Sequence, residues 1–111
     1  MTADDAVFTY LTDLNAPNTD DTGTRPKITR MHHNDSATVV RMAFRAGQVM
    51  AEHRAVHPIL VLGQAGEIDF TVAGETLRLA PGTAIEVAPH TLHELTAVTD
   101  GTVTLVVVHG G

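Results

Sequence analysis

Cysteine is absent from the 111 residues, which removes disulfides, thiolate catalysis and cysteine-rich zinc sites without excluding any compartment. Basic charge is scarce too. One lysine, Lys27, and six arginines against 13 acidic residues leave a formal net charge of -6, and no basic stripe is present to meet nucleic acid or an anionic membrane. The acidic residues are scattered apart from Asp4-Asp5 and Asp20-Asp21, so the charge reads as a contribution to solubility. No apolar run approaches the roughly 18 residues of a spanning helix. The start, Met1-Thr-Ala-Asp-Asp, has neither the basic region nor the apolar core of a secretion signal, and a cytoplasmic location is the expectation. Also missing are a Ser-His-Asp spacing, a phosphate-binding glycine loop and a dinucleotide fingerprint.

What is present divides into a short front and a strongly patterned remainder. Residues 1–26 read as an N-terminal arm or short helix followed by a loop, and residues 27–111 as one β domain. In the front, Val7, Tyr10, Leu11 and Leu14 fall at i, i+3, i+4 and i+7, the spacing of one helix face, yet the same stretch suits an extended docking arm. Residues 15–26 are dense in turn formers. From Lys27 onward, strands are expected at 27–33, 38–45, 48–54, 58–65, 67–73, 75–80, 84–88, 93–98 and 102–109, separated by turn signals such as Asn34-Asp35, Ala73-Gly74 and Pro81-Gly82. Val40, Met42 and Phe44 alternate with Arg41 and Arg45, and Ile68, Phe70 and Val72 with Glu67, Asp69 and Thr71, so one face of each strand turns inward. Leu105 to Val108 is apolar on both faces, as in a strand covered on both sides. The pattern predicts an all-β antiparallel sandwich or barrel.

Two of the seven histidines, His53 and His93, sit in glycine-punctuated segments. Gly47, His53 and Gly66 match the first glycine, first histidine and last glycine of G-x5-H-x-H-x3-E-x6-G, and Gly82 and His93 match G-x5-P-x-G-x2-H-x3-N. Over about residues 40 to 108 the chain therefore resembles a small single-domain cupin of the conserved-barrel type, which implies a jelly-roll barrel, or double-stranded β-helix. The resemblance also implies a metal site, but a degenerate one. Ala55 and Ile59 stand at the second histidine and glutamate positions, and Ala88, His90 and Ala97 replace the second motif's proline, middle glycine and asparagine.

Two inherited ligands make a weak site, because a catalytic zinc or iron normally has at least three protein donors. His57, an even offset from His53 and followed by Pro58, is the candidate third ligand, giving His53, His57 and His93 as a set for iron, manganese, nickel or zinc. The plainer reading is that His53 and His93 are hydrogen-bonded inside the barrel mouth without chemistry, and that His57 and His90 are surface loop residues. Of His32-His33 one is expected to face solvent, and His109 reads as exposed tail. Glu52 and Glu94 are expected on the outer surface, and Met42 and Met50 serve most simply as core filling.

Three functions remain open. The first is a small-molecule-binding protein without assigned chemistry, its pocket in the barrel mouth lined by Met42, Phe44, Ile59, Val61, Val87, His90 and Leu95. The second is a divalent-metal enzyme of oxygenase or isomerase type, and the third a structural dimer module. A homodimer is expected from the family's habit and from the two-sided apolar strand, with neither nucleic acid nor membrane as partner.

Overall fold

The computed structural model describes residues 7–20 and 23–110. Nine strands form: β1 (Lys27–His33), β2 (Ala37–Phe44), β3 (Val49–His53), β4 (Ile59–Ala65), β5 (Ile68–Val72), β6 (Glu75–Leu79), β7 (Ala84–Val87), β8 (His93–Ala97) and β9 (Gly101–Val108). These are the strands that the alternation and turn residues predict, with ends within about one residue. They build two antiparallel sheets, one in the order β1-β2-β9-β4-β7 and the other β3-β8-β5-β6. From β2 to β5, and again from β6 to β9, each strand lies in the opposite sheet from its predecessor, which is the jelly-roll winding.

The inward faces meet in one core. Met42, Phe44, Ile59, Val61, Val87 and Val103 from the five-stranded sheet pack against Ile68, Phe70, Leu79, Leu95 and Ala97 from the other, each at most 4% exposed. Burial of a large apolar side chain stabilises by about 1.5–3 kcal/mol, so this cluster dominates the fold's cohesion. Two glycines allow the sheets' connections to close tightly. Gly66, at φ +66°, lies so near the β8–β9 turn that a Cβ would come within 2.7 Å of Gly101 Cα, and at Gly63 a Cβ would come within 2.6 Å of the Ala80 carbonyl carbon.

Residues 7–20 contain neither helix nor strand, so the helix alternative for Val7 to Leu14 is not realised. An isolated helix this short is marginal in water, and Val7 and Tyr10, both 84% exposed, would have no surface on which to bury the shared face. The segment is instead pinned at its far end by polar contacts. Asn18, 4% exposed, donates to Gln48 Oε1 (3.1 Å), which also accepts from the Arg45 amide (2.8 Å), while Gln48 Nε2 donates to the Gly23 carbonyl (3.2 Å). Among the described residues no buried side-chain nitrogen or oxygen lacks a hydrogen-bond partner, and no helix is long and apolar enough to cross a membrane.

Candidate functional site

The topology sorts the connections. The β1–β2, β3–β4, β5–β6 and β7–β8 links and the end of β9 share one end of the barrel, and the other links share the opposite end. All seven histidines lie at that first end, although they span positions 32 to 109 of the sequence. Two separate groups result.

The first group is His53 and His93, which face each other across the β3–β8 pair with ring centroids 4.2 Å apart in an edge-to-face arrangement. A bulge makes this possible. Met50 stands opposite Leu95 and His53 opposite His93, three residues along β3 against two along β8. In a regular strand Met50 and His53 would point to opposite sheet faces, and the extra residue restores both to the inner one. Ala51 and Glu52, at the bulge, are exposed, and both line the groove between β1 and β3 described below.

His93 is 3% exposed and stacks on Phe70, with centroids 5.5 Å apart and planes 7° from parallel. Its Nδ1 donates to the Thr91 carbonyl (3.0 Å), and His53 Nδ1 donates to the Ala51 carbonyl (2.8 Å). A carbonyl only accepts, so Nδ1 carries a proton in both rings, and in the neutral form of each ring Nε2 holds the lone pair. Burial lowers the His93 pKa below the ordinary 6.5, with a smaller lowering from His53, against a raising influence of the Thr91 hydrogen bond.

His57 does not join this pair. The link from β3 to β4 bends at Val56 and His57 instead of staying extended, so the even-offset argument fails, and the His57 ring lies 5.6 Å from that of His109. Ile59 is a core residue at 3% exposure and Ala55 packs against the core. Among the described residues no three His, Cys, Asp or Glu side chains come together in a way that could hold a metal ion. The expected set of His53, His57 and His93 thus reduces to two neutral nitrogen donors, which do not fit a resident iron, manganese, nickel or zinc.

The second group was not legible in the sequence. His33 Nδ1 lies 2.7 Å from Thr38 Oγ1, which lies 2.9 Å from His109 Nε2, while His109 Nδ1 reaches the Asp35 carbonyl at 3.1 Å. The carbonyl fixes the direction of the whole chain. His109 Nδ1 donates to it, Thr38 donates to His109 Nε2, and His33 donates to Thr38. His109 is therefore half-buried and engaged, where an exposed tail residue was expected. His90 is exposed at φ +63°, the position where the resembled motif has glycine, and its amide donates to the Ala55 carbonyl (2.7 Å), tying two mouth loops together.

The expected pocket also moves. Met42, Phe44, Ile59, Val61, Val87 and Leu95 are 0–4% exposed and form the packed core, and His90 lies on the loop surface. Interiors pack to crystal-like density, so these six fill space where a mouth pocket was expected. A groove of about 470 Å³ opens instead where the two sheets part, between the edge strands β1 and β3. Pro26, Ile28, Val49 and Met50 give it apolar walls, and Arg25, Glu52 and His53 are its charged and titratable members. The Val49 amide, bonded to the Thr24 carbonyl (2.9 Å), holds the segment before β1 against β3. Of the residues predicted for a site, His53 alone lines this groove.

Comparison with known proteins agrees with the architecture. The family model described as Cupin domain matches residues 40–109. Among solved structures, an RmlC-like cupin protein from Desulfovibrio desulfuricans superposes with a TM-score of 0.80 at 22% identity, covering 94% of this chain and 99% of that one. An RmlC-like cupin from Shewanella frigidimarina gives 0.74 at 23% identity, with 82% of each chain covered. A conserved protein of unknown function from Streptococcus pyogenes gives 0.72 at 19% identity, covering 96% of this chain and 99% of that one. No curated protein matches.

Proposed function

Since the chain belongs to the cupin family, whose fold alone selects no activity, we propose that it binds a small, largely apolar molecule with one polar end in the groove between β1 and β3. The observation that carries this reading is the groove itself. Its volume of about 470 Å³ falls within the range typical of small-molecule sites, and its walls are apolar with a few polar anchors. Pro26, Ile28, Val49 and Met50 would hold the body of the ligand, while Arg25 and His53 would meet its polar end. With two imidazole donors and apolar side chains at positions 55 and 59, the neighbouring pair favours binding over metal-dependent chemistry.

A thermal-shift screen of small amphipathic acids and alcohols on the full chain tests the proposal. A ligand at 100 times its Kd adds about 2.7 kcal/mol, which raises Tm by roughly 10–20 °C for a domain of this size. The shift should vanish in Ile28→Asp, which places a charge on a groove wall already 55% exposed and so spares the core. A hit whose stabilisation survives Ile28→Asp places binding elsewhere, and a broad library without hits refutes the reading. Elemental analysis of the untagged protein covers the rival: stoichiometric metal lost in His53→Ala would replace ligand binding with metal chemistry.

A further inference from the structure

The groove between β1 and β3 carries one charge of each sign, and neither is neutralised within the chain. Arg25 and Glu52 both line it. The ion pairs among the described residues join Lys27 to Asp20 and Arg78 to Glu67 and Asp69, and neither the Arg25 guanidinium nor the Glu52 carboxylate has a hydrogen bond or ion pair there. The bulge in β3 accounts for the position of the carboxylate. It sets Ala51 and Glu52 opposite the single residue Glu94, so that Glu52 lines the groove together with its neighbour His53, which strict alternation would forbid. On the other wall the Thr24 carbonyl accepts from the Val49 amide (2.9 Å), which seats Arg25 beside the start of β3. Glu52 lies further along that strand, about 10 Å away at the rise of a β-strand, and a small ligand between them is within reach of both side chains.

From this we infer that the ligand of the groove is a free apolar α-amino acid, an inference that rests on the groove being the binding site. The ligand carboxylate meets the Arg25 guanidinium, whose planar fork suits it, and the ligand ammonium meets Glu52. His53 Nδ1 is committed to the Ala51 carbonyl, so in the neutral ring Nε2 is free to accept from the same ammonium. Pro26, Ile28, Val49 and Met50 take the ligand's side chain. Charge balance selects this class over simpler amphiphiles. A plain carboxylic acid is attracted by Arg25 and repelled by Glu52, and a plain amine meets the reverse, so for either one the two terms oppose each other. An α-amino acid carries both charges on one carbon and satisfies both residues at once. The net charge of -6 further disfavours the approach of a lone anion and leaves a neutral zwitterion unaffected.

Calorimetric titration of the full chain near neutral pH, with probes that each lack one part of the ligand, tests the inference. Leucine carries both charges and an apolar body, isocaproate lacks the ammonium, isoamylamine lacks the carboxylate, and glycine lacks the body. Leucine should bind at least about tenfold more tightly than each of the others. Glu52→Gln should weaken leucine at least about tenfold and strengthen isocaproate, so that the two converge, and Arg25→Gln should do the same for leucine and isoamylamine. Both positions are exposed, so neither exchange disturbs the core. Isocaproate or isoamylamine binding as tightly as leucine, and lost in Ile28→Asp, would overturn the amino-acid inference while the groove stands as a site for an amphipathic molecule. Leucine binding that survives Ile28→Asp would overturn both. Absence of binding by leucine and methionine at about 10 mM would overturn the amino-acid inference alone.

Discussion

Replacing Phe70 with leucine tests what keeps His93 neutral. Phe70 is fully buried and lies parallel to the His93 ring, with centroids 5.5 Å apart, so it excludes water from one face of the imidazole. Burial is the largest cause of the lowered His93 pKa, and the charge of His53 is a smaller one. The stability consequence has a definite sign. Between the lowered folded value and the ordinary 6.5 the unfolded chain binds more protons than the folded one, so stability rises with pH across that window. This contribution is fully present above the ordinary histidine range and is lost as pH falls through it toward the folded value. Leucine fills most of the phenyl volume, and the exchange should cost about 1–2 kcal/mol, or roughly 5–15 °C in Tm. Proton NMR titration of the imidazole Cε1–H should show the His93 pKa moving up toward its ordinary value, and urea unfolding at two pH values should show a smaller acid loss. His53→Gln should move it up less, since it removes the lesser cause. An unmoved His93 in Phe70→Leu, or a larger effect from His53→Gln, would refute burial as the controlling factor.

Other positions separate backbone from side-chain effects. Gly63→Ala places a Cβ within 2.6 Å of the Ala80 carbonyl carbon and 2.9 Å of its amide nitrogen, backbone that cannot rotate away, and should cost about 2–4 kcal/mol in urea unfolding. Gly82→Ala, at φ +90° with nothing within 4 Å, should cost only about 1 kcal/mol, and equal losses would contradict the steric argument. Gln48→Ala removes the acceptor of Asn18 and the Arg45 amide and should cost about 2–3 kcal/mol with faster exchange of that amide; a loss below about 0.5 kcal/mol would show the junction to be dispensable. His90→Gly relieves a left-handed residue at φ +63° and should raise stability by up to about 1 kcal/mol, whereas a loss would reveal an interaction of the imidazole.

Strands were legible because local chemistry decides them. Alternation of Ile68, Phe70 and Val72 with polar neighbours places all three on the inner face, and turns at Ala73-Gly74 and Pro81-Gly82 close where glycine takes φ +79° and +90°. The site was less legible because its geometry depends on departures from that regularity. The bulge opposite Glu94 reverses parity along β3, so simple alternation from Met50 would turn His53 outward. His57 was misplaced by assuming an extended link through Val56, where the chain bends. The Thr38–His109 contact joins residues 71 apart, a separation that no local pattern encodes. The groove lies between edge strands of different sheets, and its position follows from the winding rather than from any motif.

His53 links the buried and accessible halves of this site. His93 is 3% exposed and reaches the groove through no lining contact of its own, whereas His53 is exposed, lines the groove and touches the His93 ring edge-on at 4.2 Å. Both Nδ1 atoms are committed to carbonyls, so a ligand that engages His53 does so through Nε2 or by displacing the Ala51 bond. His53 is one of the influences that lower the His93 pKa, so a ligand that engages its ring alters the electrostatic surroundings of His93. Groove occupancy that engages His53 should therefore move the His93 titration, although the ligand never contacts His93. In His53→Gln the same ligand should leave His93 unmoved. A ligand that shifts His93 equally in both proteins would show that the coupling runs through the barrel rather than through the imidazole pair.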